Sequence, residues 1–459
     1  MSITQTALTD AIMEKYIRPI RRPRTQRAGL EFEMPIVNRK GAAVDFAVVH
    51  ALTADFISAF GFSDEHRDED GYIYCAADPV SGDTISYDCS YNTLELSFGA
   101  EDDLNVVYDR FRRYYLFIQE RLDSAGHMLT GMGVNPYWRV NRCEPIANGR
   151  YRMLLHHLQS YKRYPGVLDF HDVPQFGLFS CASQIQLDAE EDTVIEALNT
   201  FSRLEPWKAL LFANSPWGDF LCARDHFWKK SMHGVNPRNV DGYDAPLRDI
   251  DGLTDYIRSM SLYCVEREEK YIHFAPTLLE EYFSSSSLRG EYYDGQAWKE
   301  IDFSPELTDL AWLRSFKFED LTYRGTIEFR SVCQQPVRQI MAPAAFHAGL
   351  MEELPALTEL LDREAPALEQ GHTPSELRDL YVLRERPDEF DAPAASALLE
   401  KILRLAEQGL ERRGRGEQRF LAPLYERART LMSPAGEMLI GLENGKTLEY
   451  YIKDYARLD

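Results

Sequence analysis

Positive charge, long apolar runs and paired cysteines are all scarce in this chain. Against 73 aspartates and glutamates stand 51 lysines and arginines, a formal net charge of −22. A surface of that sign repels polyanions, so neither nucleic acid nor an anionic membrane is expected as a partner. Any anionic nucleotide would have to be held by metals and local arginines. No apolar stretch of 18 residues exists, which excludes a helical membrane span. The N-terminal segment has no basic region followed by an apolar run, so no secretory signal is expected, and the cytoplasm is the expected location. Cysteines 75, 89, 143, 181, 222, 264 and 333 are scattered without a CxxC pair. That spacing suits reduced thiols better than a disulfide scaffold or a zinc cluster. There is no Walker A sequence, and Gly131-Met132-Gly133 lacks the third glycine of a dinucleotide fingerprint. No internal repeat is visible. What remains is a chain of 459 residues, 44% apolar, with enough material for two or three domains or one large α+β unit.

The positive signal is a set of four short stretches. In Gly29-Leu30-Glu31-Phe32-Glu33-Met34-Pro35, Leu30, Phe32 and Met34 fall on one face of a strand and Glu31 and Glu33 on the other. Two strand rises separate the carboxylate roots by roughly 6.8 Å. Water screens such a pair on an open edge strand; in a cleft the pair needs a metal, a substrate ammonium or a shared proton. Both settings fit this stretch alone. Thr93–Phe98 repeats the pattern with Glu95 and Ser97 on the polar face, Ala182–Asp188 with Gln184, Gln186 and Asp188, and Thr326–Arg330 with Glu328 and Arg330. Four strands that are apolar behind and acidic or polar in front predict one antiparallel sheet with helices on its back and a polar cleft in front.

Around these strands the periodicity predicts a helix over residues 9–20 with Thr9 as its cap, then an arginine-rich stretch, Arg21–Arg27, that reads either as a solvated linker or as an anion-binding rim. A helix is predicted from Val44 to Phe60, closed by Gly61, and another after Asp102 and Asp103, running to Ser124. Two helices, Ala189–Thr200 and Pro206–Ala213, are expected after the glutamine strand, with Pro206 in a first turn. Ser284–Ser287 reads as a mobile loop. Residues 247–257 and 278–298 carry no clear pattern. From Val337 onward the chain is mainly helical, ending in helices over 394–412, 416–431 and 434–443.

These motifs, taken together and in order, resemble glutamate–cysteine ligase of the plant and bacterial branch. Gly29-Leu30-Glu31-Phe32-Glu33 resembles that family's Gly-x-Glu-x-Glu strand, and Glu95-Leu96-Ser97 its second acidic strand, with Asp88 seven residues ahead. Arg150-Tyr151-Arg152-Met153 resembles its Arg-Tyr-x-x-Met helix start, and Gln184–Asp188 its Gln-x-Asn-Leu-Asp strand. Phe212-Ala213-Asn214-Ser215-Pro216 matches a family signature letter for letter. Glu328-Phe329-Arg330 resembles its Glu-x-Arg, and Gly409–Arg413, Phe420–Leu424 and Ser433–Ala435 resemble its tail. The resemblance covers roughly residues 25–445.

The resemblance implies an α+β, glutamine-synthetase-like fold: a curved antiparallel sheet with a polar concave face, backed and flanked by helices. It implies an N-terminal helix and linker (1–24), a catalytic domain (25–350) and a helical region packed on the same unit (351–459). It further implies an ATP-dependent ligase joining the γ-carboxylate of glutamate to an amine through an acyl phosphate, with cysteine as the default acceptor. Two or three Mg²⁺ would be held by Glu31, Glu33, Asp88, Glu95, Gln184 and Glu328. Arg330 and Arg224 would act on the phosphoryl group, and Arg150, Tyr151, Gln186, Asn214 and Trp228 would bind substrates. A monomer or small homo-oligomer is expected. Three departures stand out. Ser331 and Cys333 replace the Gly and Asp usual after Glu-x-Arg, Gln186 replaces an asparagine, and Trp228–Arg238 is altered and longer. Trp228–Arg238 and Ser331–Gln335 are therefore expected to border the acceptor's approach, which leaves a different amine as one alternative. An ATP:guanidino phosphotransferase and a non-catalytic relative are the other two.

Overall fold

The strand bearing the two glutamates lies near the middle of the principal sheet. In the computed structural model, which describes residues 3–243 and 245–458, β1 (Ala28–Asn38) runs between two antiparallel neighbours. Met1 and Ser2, at the head of the N-terminal segment read above, lie outside the described residues. In chain order follow β2 (Asp64–Arg67), β3 (Ile73–Ala77), β4 (Thr84–Tyr87), β5 (Thr93–Glu101), β6 (His127–Leu129), β7 (Ser183–Asp188) and β8 (Val240–Asp241). Then come β9 (Ser261–Arg267), β10 (Lys270–Leu278), β11 (Leu288–Tyr293), β12 (Trp298–Phe303), β13 (Phe316–Lys317), β14 (Glu319–Leu321) and β15 (Thr326–Phe329). Nine of these form one sheet in the order β14-β15-β7-β1-β5-β4-β3-β2, with β6 on the far half of β1. Every pairing in it is antiparallel. The four strands expected from the sequence are consecutive neighbours within it: β15, β7, β1, β5.

The apolar back carries the core. Leu30, Phe32 and Met34 are essentially buried, as are Leu94, Leu96 and Phe98 of β5 and Ile185 of β7. Among the helices in chain order are α1 (Gln5–Ile12), α2 (Phe46–Phe60), α3 (Leu104–Ser124), α4 (Gly149–Gln159), α5 (Val194–Phe212) and α6 (Ala223–Lys229). Phe111 of α3 meets Phe32 edge-on at 5.4 Å, and Phe201 of α5 lies 4.7 Å from Phe329 of β15. Each such side chain contributes about 1.5–3 kcal/mol by leaving water. The tail helices complete this layer. Ala342–Glu352 and Ala392–Arg413 cross where Gly349 faces Gly409; a Cβ on Gly409 would fall 2.0 Å from the Gly349 carbonyl oxygen. That close approach explains why glycine precedes Leu410-Glu411.

Local signals held where the caps are strong. Asp45 accepts from the Ala47 amide at the start of α2, and Gly61, at φ 75°, ends it. Asp103 caps α3 by accepting from the Asn105 amide. Elsewhere the structure differs. The N-terminal helix is capped by Thr4, which accepts from Ala7, so Thr9 sits inside it; beyond Ile12 the chain widens into a π turn and then tightens into a 3₁₀ turn around Pro19. The two helices expected on either side of Pro206 are one, because burial of every residue from Leu204 to Phe212 outweighs the missing amide. The unpatterned regions hold two helices, Ile250–Arg258 and Leu279–Ser284, and β11 of a second, four-stranded sheet, β12-β11-β10-β9. The tail helices are Ala392–Arg413, Ala422–Thr430 and Pro434–Glu443, followed by an unforeseen one, Leu448–Tyr455. Among the described residues no helix is long and apolar enough to cross a membrane, and all seven cysteines are free thiols.

Candidate active site

Because side chains alternate along a strand, the register across the sheet decides which polar groups share the front face. Glu33 lies opposite Glu95 of β5; Glu31 lies opposite Ser97 on that side and Gln184 of β7 on the other. Gln186 pairs with Gly29 across β1 and with Glu328 across β15. One polar stripe therefore crosses β15, β7, β1 and β5, and Glu95 faces Ser86 of β4 beyond. Asp88 follows that strand and completes the group.

The stripe is tied together internally. Glu33, only 5% exposed, accepts from the Ala182 amide and from Gln184 Nε2, each at 2.6 Å. Gln186 Nε2 donates to both Glu31 Oε1 and Glu328 Oε1 at 3.1 Å. Ser97 donates to Glu95 at 2.7 Å. Arg330 pairs with Glu328 at 2.6 Å and donates to Gln184 Oε1 at 3.2 Å. The balance still leaves an excess of negative charge. Burial first, then repulsion from Glu95 and Glu328, raises Glu31 to about 8. Burial, Asp88 and Glu95 push Glu33 well above the usual carboxylate range. Burial also raises Asp88, and burial together with Asp88 raises Glu95. These carboxylates do not all ionise near neutral pH unless cations join them.

The stripe forms the floor of a cleft of about 890 Å³. Of the residues expected in the site, Glu31, Glu33, Asp88, Glu95, Gln184, Gln186, Glu328, Arg150, Tyr151, Arg224, Trp228 and Arg330 all line it. Asn148 caps α4 by accepting from the Tyr151 amide, which sets Arg150 on the first turn beside the cleft. Asn214 is the exception. It is fully buried outside the cleft lining, and its amide donates to the carbonyls of Gly131 and Gln334. In this chain it holds two loops together.

The wall residues that sequence reasoning missed come from distant segments. Arg314 and Lys317 line the cleft with the aromatic rings of Tyr263, Trp312 and Phe316, and Trp228 stacks on Phe316 at 5.0 Å. The arginine-rich stretch supplies rim cations: Arg24 and Arg27 line the cleft and pair with Asp188 at 3.0 and 3.8 Å. Of the segments expected to border the acceptor, only Trp228, Lys229 and Ser331 reach the cleft. Gln334 and Gln335 are fully buried; Gln335 donates to the Phe212 and Cys333 carbonyls. Ser331 Oγ donates to Glu205, and Arg378, behind the cleft, holds both Glu205 and the cleft-lining Asp225, at 2.8 and 2.7 Å. Cys333 points into the core, 3.5 Å from Cys222 Sγ and 3.3 Å from Ser215 Oγ. Against the upward push of burial, hydrogen bonding from Cys222 and the charge of Arg224 lower it to about 6. The changes at 333–335 thus belong to packing behind the site. Arg224 is 6% exposed, its Nε has no partner, and its terminal nitrogens make only 3.4 Å contacts to backbone carbonyls of Ser331 and Arg330. It is a second buried guanidinium with unused donor capacity.

Comparison with known proteins follows the same outline. The family model described as Glutamate-cysteine ligase family 2 (GCS2) matches residues 27–447. The chloroplastic glutamate–cysteine ligase of Arabidopsis thaliana is 27% identical over 367 residues, covering 77% of this chain and 65% of that protein. The Brassica juncea enzyme is also 27% identical, with 66% of its length covered. The chain thus spans just under two thirds of these curated relatives. Among solved structures, glutamate–cysteine ligase from Francisella tularensis, in complex with AMP, superposes with a TM-score of 0.50 over 95% of this chain and 88% of that one, at 11% identity. That likeness is one of fold.

Proposed function

Since the chain belongs to glutamate–cysteine ligase family 2, we propose that it is an ATP-dependent carboxylate–amine ligase that joins the γ-carboxylate of glutamate to an amino group, with cysteine as the acceptor. The observation that carries this reading is the acidic stripe, in which Glu33 faces Glu95 across the sheet and burial raises both. An amide does not form spontaneously from a carboxylate and an amine in water, so the carboxylate must first be activated. Transfer of the γ-phosphoryl group of ATP makes an acyl phosphate, the amine attacks its carbonyl carbon, and inorganic phosphate leaves with the carboxylate oxygen.

The donors on the stripe are all oxygens, carboxylates with an amide carbonyl, which suits Mg²⁺ and disfavours softer ions. Glu31, Glu33, Glu95 and Glu328, with Asp88 and Gln184, would hold two or three such ions. Bound there, Mg²⁺ would offset the charge of the ATP phosphates during transfer. The chain's own cations do the rest. Arg330, fixed by Glu328 and Gln184, and Arg224, with its unused donors, would offset charge on the equatorial phosphoryl oxygens. Arg150 and the rim arginines give a net acidic protein a local surface for anionic substrates. Trp228, Phe316 and Trp312 form an aromatic wall of the cleft that would keep water from the acyl phosphate. Ordering the amine against the activated carbonyl supplies much of the remaining acceleration.

The test is incubation of the enzyme with glutamate, MgATP and single amines, with product masses and ADP read together. A γ-glutamyl product that requires a divalent metal supports the proposal. A product lacking glutamate overturns the donor, one lacking cysteine overturns only the acceptor, and equal ADP release in excess chelator overturns the metal reading.

A further inference from the structure

A second group of potential ligands lies away from the acidic stripe, where α4 meets the four-stranded sheet. His156, on the C-terminal half of α4, places Nε2 2.8 Å from Glu291 Oε1 of β11; His273 of β10 places Nδ1 3.3 Å from the same oxygen. The three donor atoms all lie within 4.8 Å of one another. A tetrahedral ion with ligand bonds of about 2.0–2.2 Å sets its donors roughly 3.3–3.5 Å apart, so small side-chain adjustments would seat one. None of the three residues lines the cleft.

The surroundings hold these side chains as ligands are usually held. The His156 ring stacks on Trp298 at 3.7 Å, which fixes its plane. His273 Nε2 lies 3.1 Å from His157 Nδ1. An ion on His273 Nδ1 would leave Nε2–H to donate to His157 Nδ1, the outer contact that orients a ligating imidazole. His157 is fully buried and stacks on Tyr263 at 3.9 Å, and its Nε2 has no partner. Arg163 already donates to Glu291 Oε1 at 2.5 Å, so three nitrogens converge on one oxygen. The Arg163 side chain is 56% exposed and free to yield that position. Two imidazoles with one carboxylate suit Zn²⁺ and similar transition ions, and suit Mg²⁺ poorly.

We propose that His156, His273 and Glu291 form a zinc-type transition-metal site that clamps α4 to the second sheet. Its role is positional: the same helix carries Arg150 and Tyr151 on its first turn, at the wall of the cleft.

Metal-stripped enzyme is dialysed against limiting Zn²⁺ in a large excess of Mg²⁺, which on the proposed function would fill the acidic stripe. The expected result is one bound Zn²⁺ per chain, retained in Glu33→Gln and weakened in both His156→Gln and Glu291→Gln. The weakening should reach at least the 10–100-fold range that loss of an outer-shell partner brings. Wild-type enzyme loaded with Co²⁺ gives a reading that needs no variant, namely the intense visible bands of a low-coordinate nitrogen and oxygen site. Zinc binding unchanged in both variants, no stoichiometric zinc in the wild type, or the pale Co²⁺ spectrum of six oxygen ligands would each overturn the proposal.

Discussion

Glu33→Gln separates the charge of the acidic stripe from its shape. The amide is isosteric with the carboxylate, but Glu33 accepts two hydrogen bonds, from the Ala182 amide and from Gln184 Nε2. A glutamine can accept on only one side, so one donor meets an NH₂ group. Gln184 cannot simply turn over, because its Oε1 already accepts from Arg330. Leaving a buried donor unsatisfied costs about 1–3 kcal/mol. Against this, removal of one charge relieves repulsion from Glu95 directly across the strand pair. Burial, Asp88 and Glu95 all oppose ionisation of Glu33, so the metal-free wild type bears either that repulsion or the uptake of a proton, and the amide bears neither. The metal-free variant should therefore melt at the wild-type temperature or a few degrees higher. Catalysis should respond differently. Loss of one electrostatic contributor to phosphoryl transfer costs about 10²–10³ in rate, or about 2.7–4 kcal/mol. Coupled ADP assays across a Mg²⁺ series should show that loss together with weaker Mg²⁺ saturation. Wild-type turnover would remove Glu33 from the metal site, and a large fall in metal-free melting temperature would make its carboxylate a structural acceptor instead.

Arg330→Ala should lower kcat by about 10²–10³, the range for losing one preorganised charge at the transferring group, with far less effect on melting temperature; an unchanged kcat in the ADP assay would place Arg330 outside the reaction. Phe32→Ala, on the apolar back against Phe111, should cost about 3–5 kcal/mol in denaturant unfolding, and a loss under 1 kcal/mol would contradict the packing described. Metal-free protein should lose stability as pH rises from 4.5 to about 8. Burial first, then Glu95 and Glu328, raises Glu31 over that range, and the folded state holds the proton that the unfolded state has released. Melting curves in chelator should fall across that window and flatten with saturating Mg²⁺; a rise in chelator would refute the sign.

The sheet was legible where apolar and polar residues alternate without interruption. Leu30, Phe32 and Met34 against Glu31 and Glu33 determine both the strand and its inward face, and β5, β7 and β15 repeat the contrast strongly enough to predict that the four share one antiparallel sheet. Gly61 and Asp103 gave helix ends for a similar reason: each meets a backbone requirement at a helix terminus. The second sheet was not legible because β11 and β12 mix tyrosine, tryptophan and charge on both faces, and much of that surface stays in water. Pro206 misled because tertiary burial outweighed a local penalty. In the site, the carboxylates could be found from strand spacing, whereas Arg314, Phe316 and Trp312 arrive from a segment without a motif of its own. Asn214 shows the opposite error: a residue that holds two loop carbonyls in this chain was read as a substrate contact.

The most direct measurement follows oxygen. Glutamate labelled with ¹⁸O in its γ-carboxylate is incubated with enzyme, MgATP and cysteine, and the inorganic phosphate is analysed by mass spectrometry. If the γ-carboxylate is activated as an acyl phosphate, one labelled oxygen passes into phosphate for every γ-glutamyl bond formed. Phosphate free of label, with the dipeptide still accumulating, would contradict activation of that carboxylate by phosphoryl transfer.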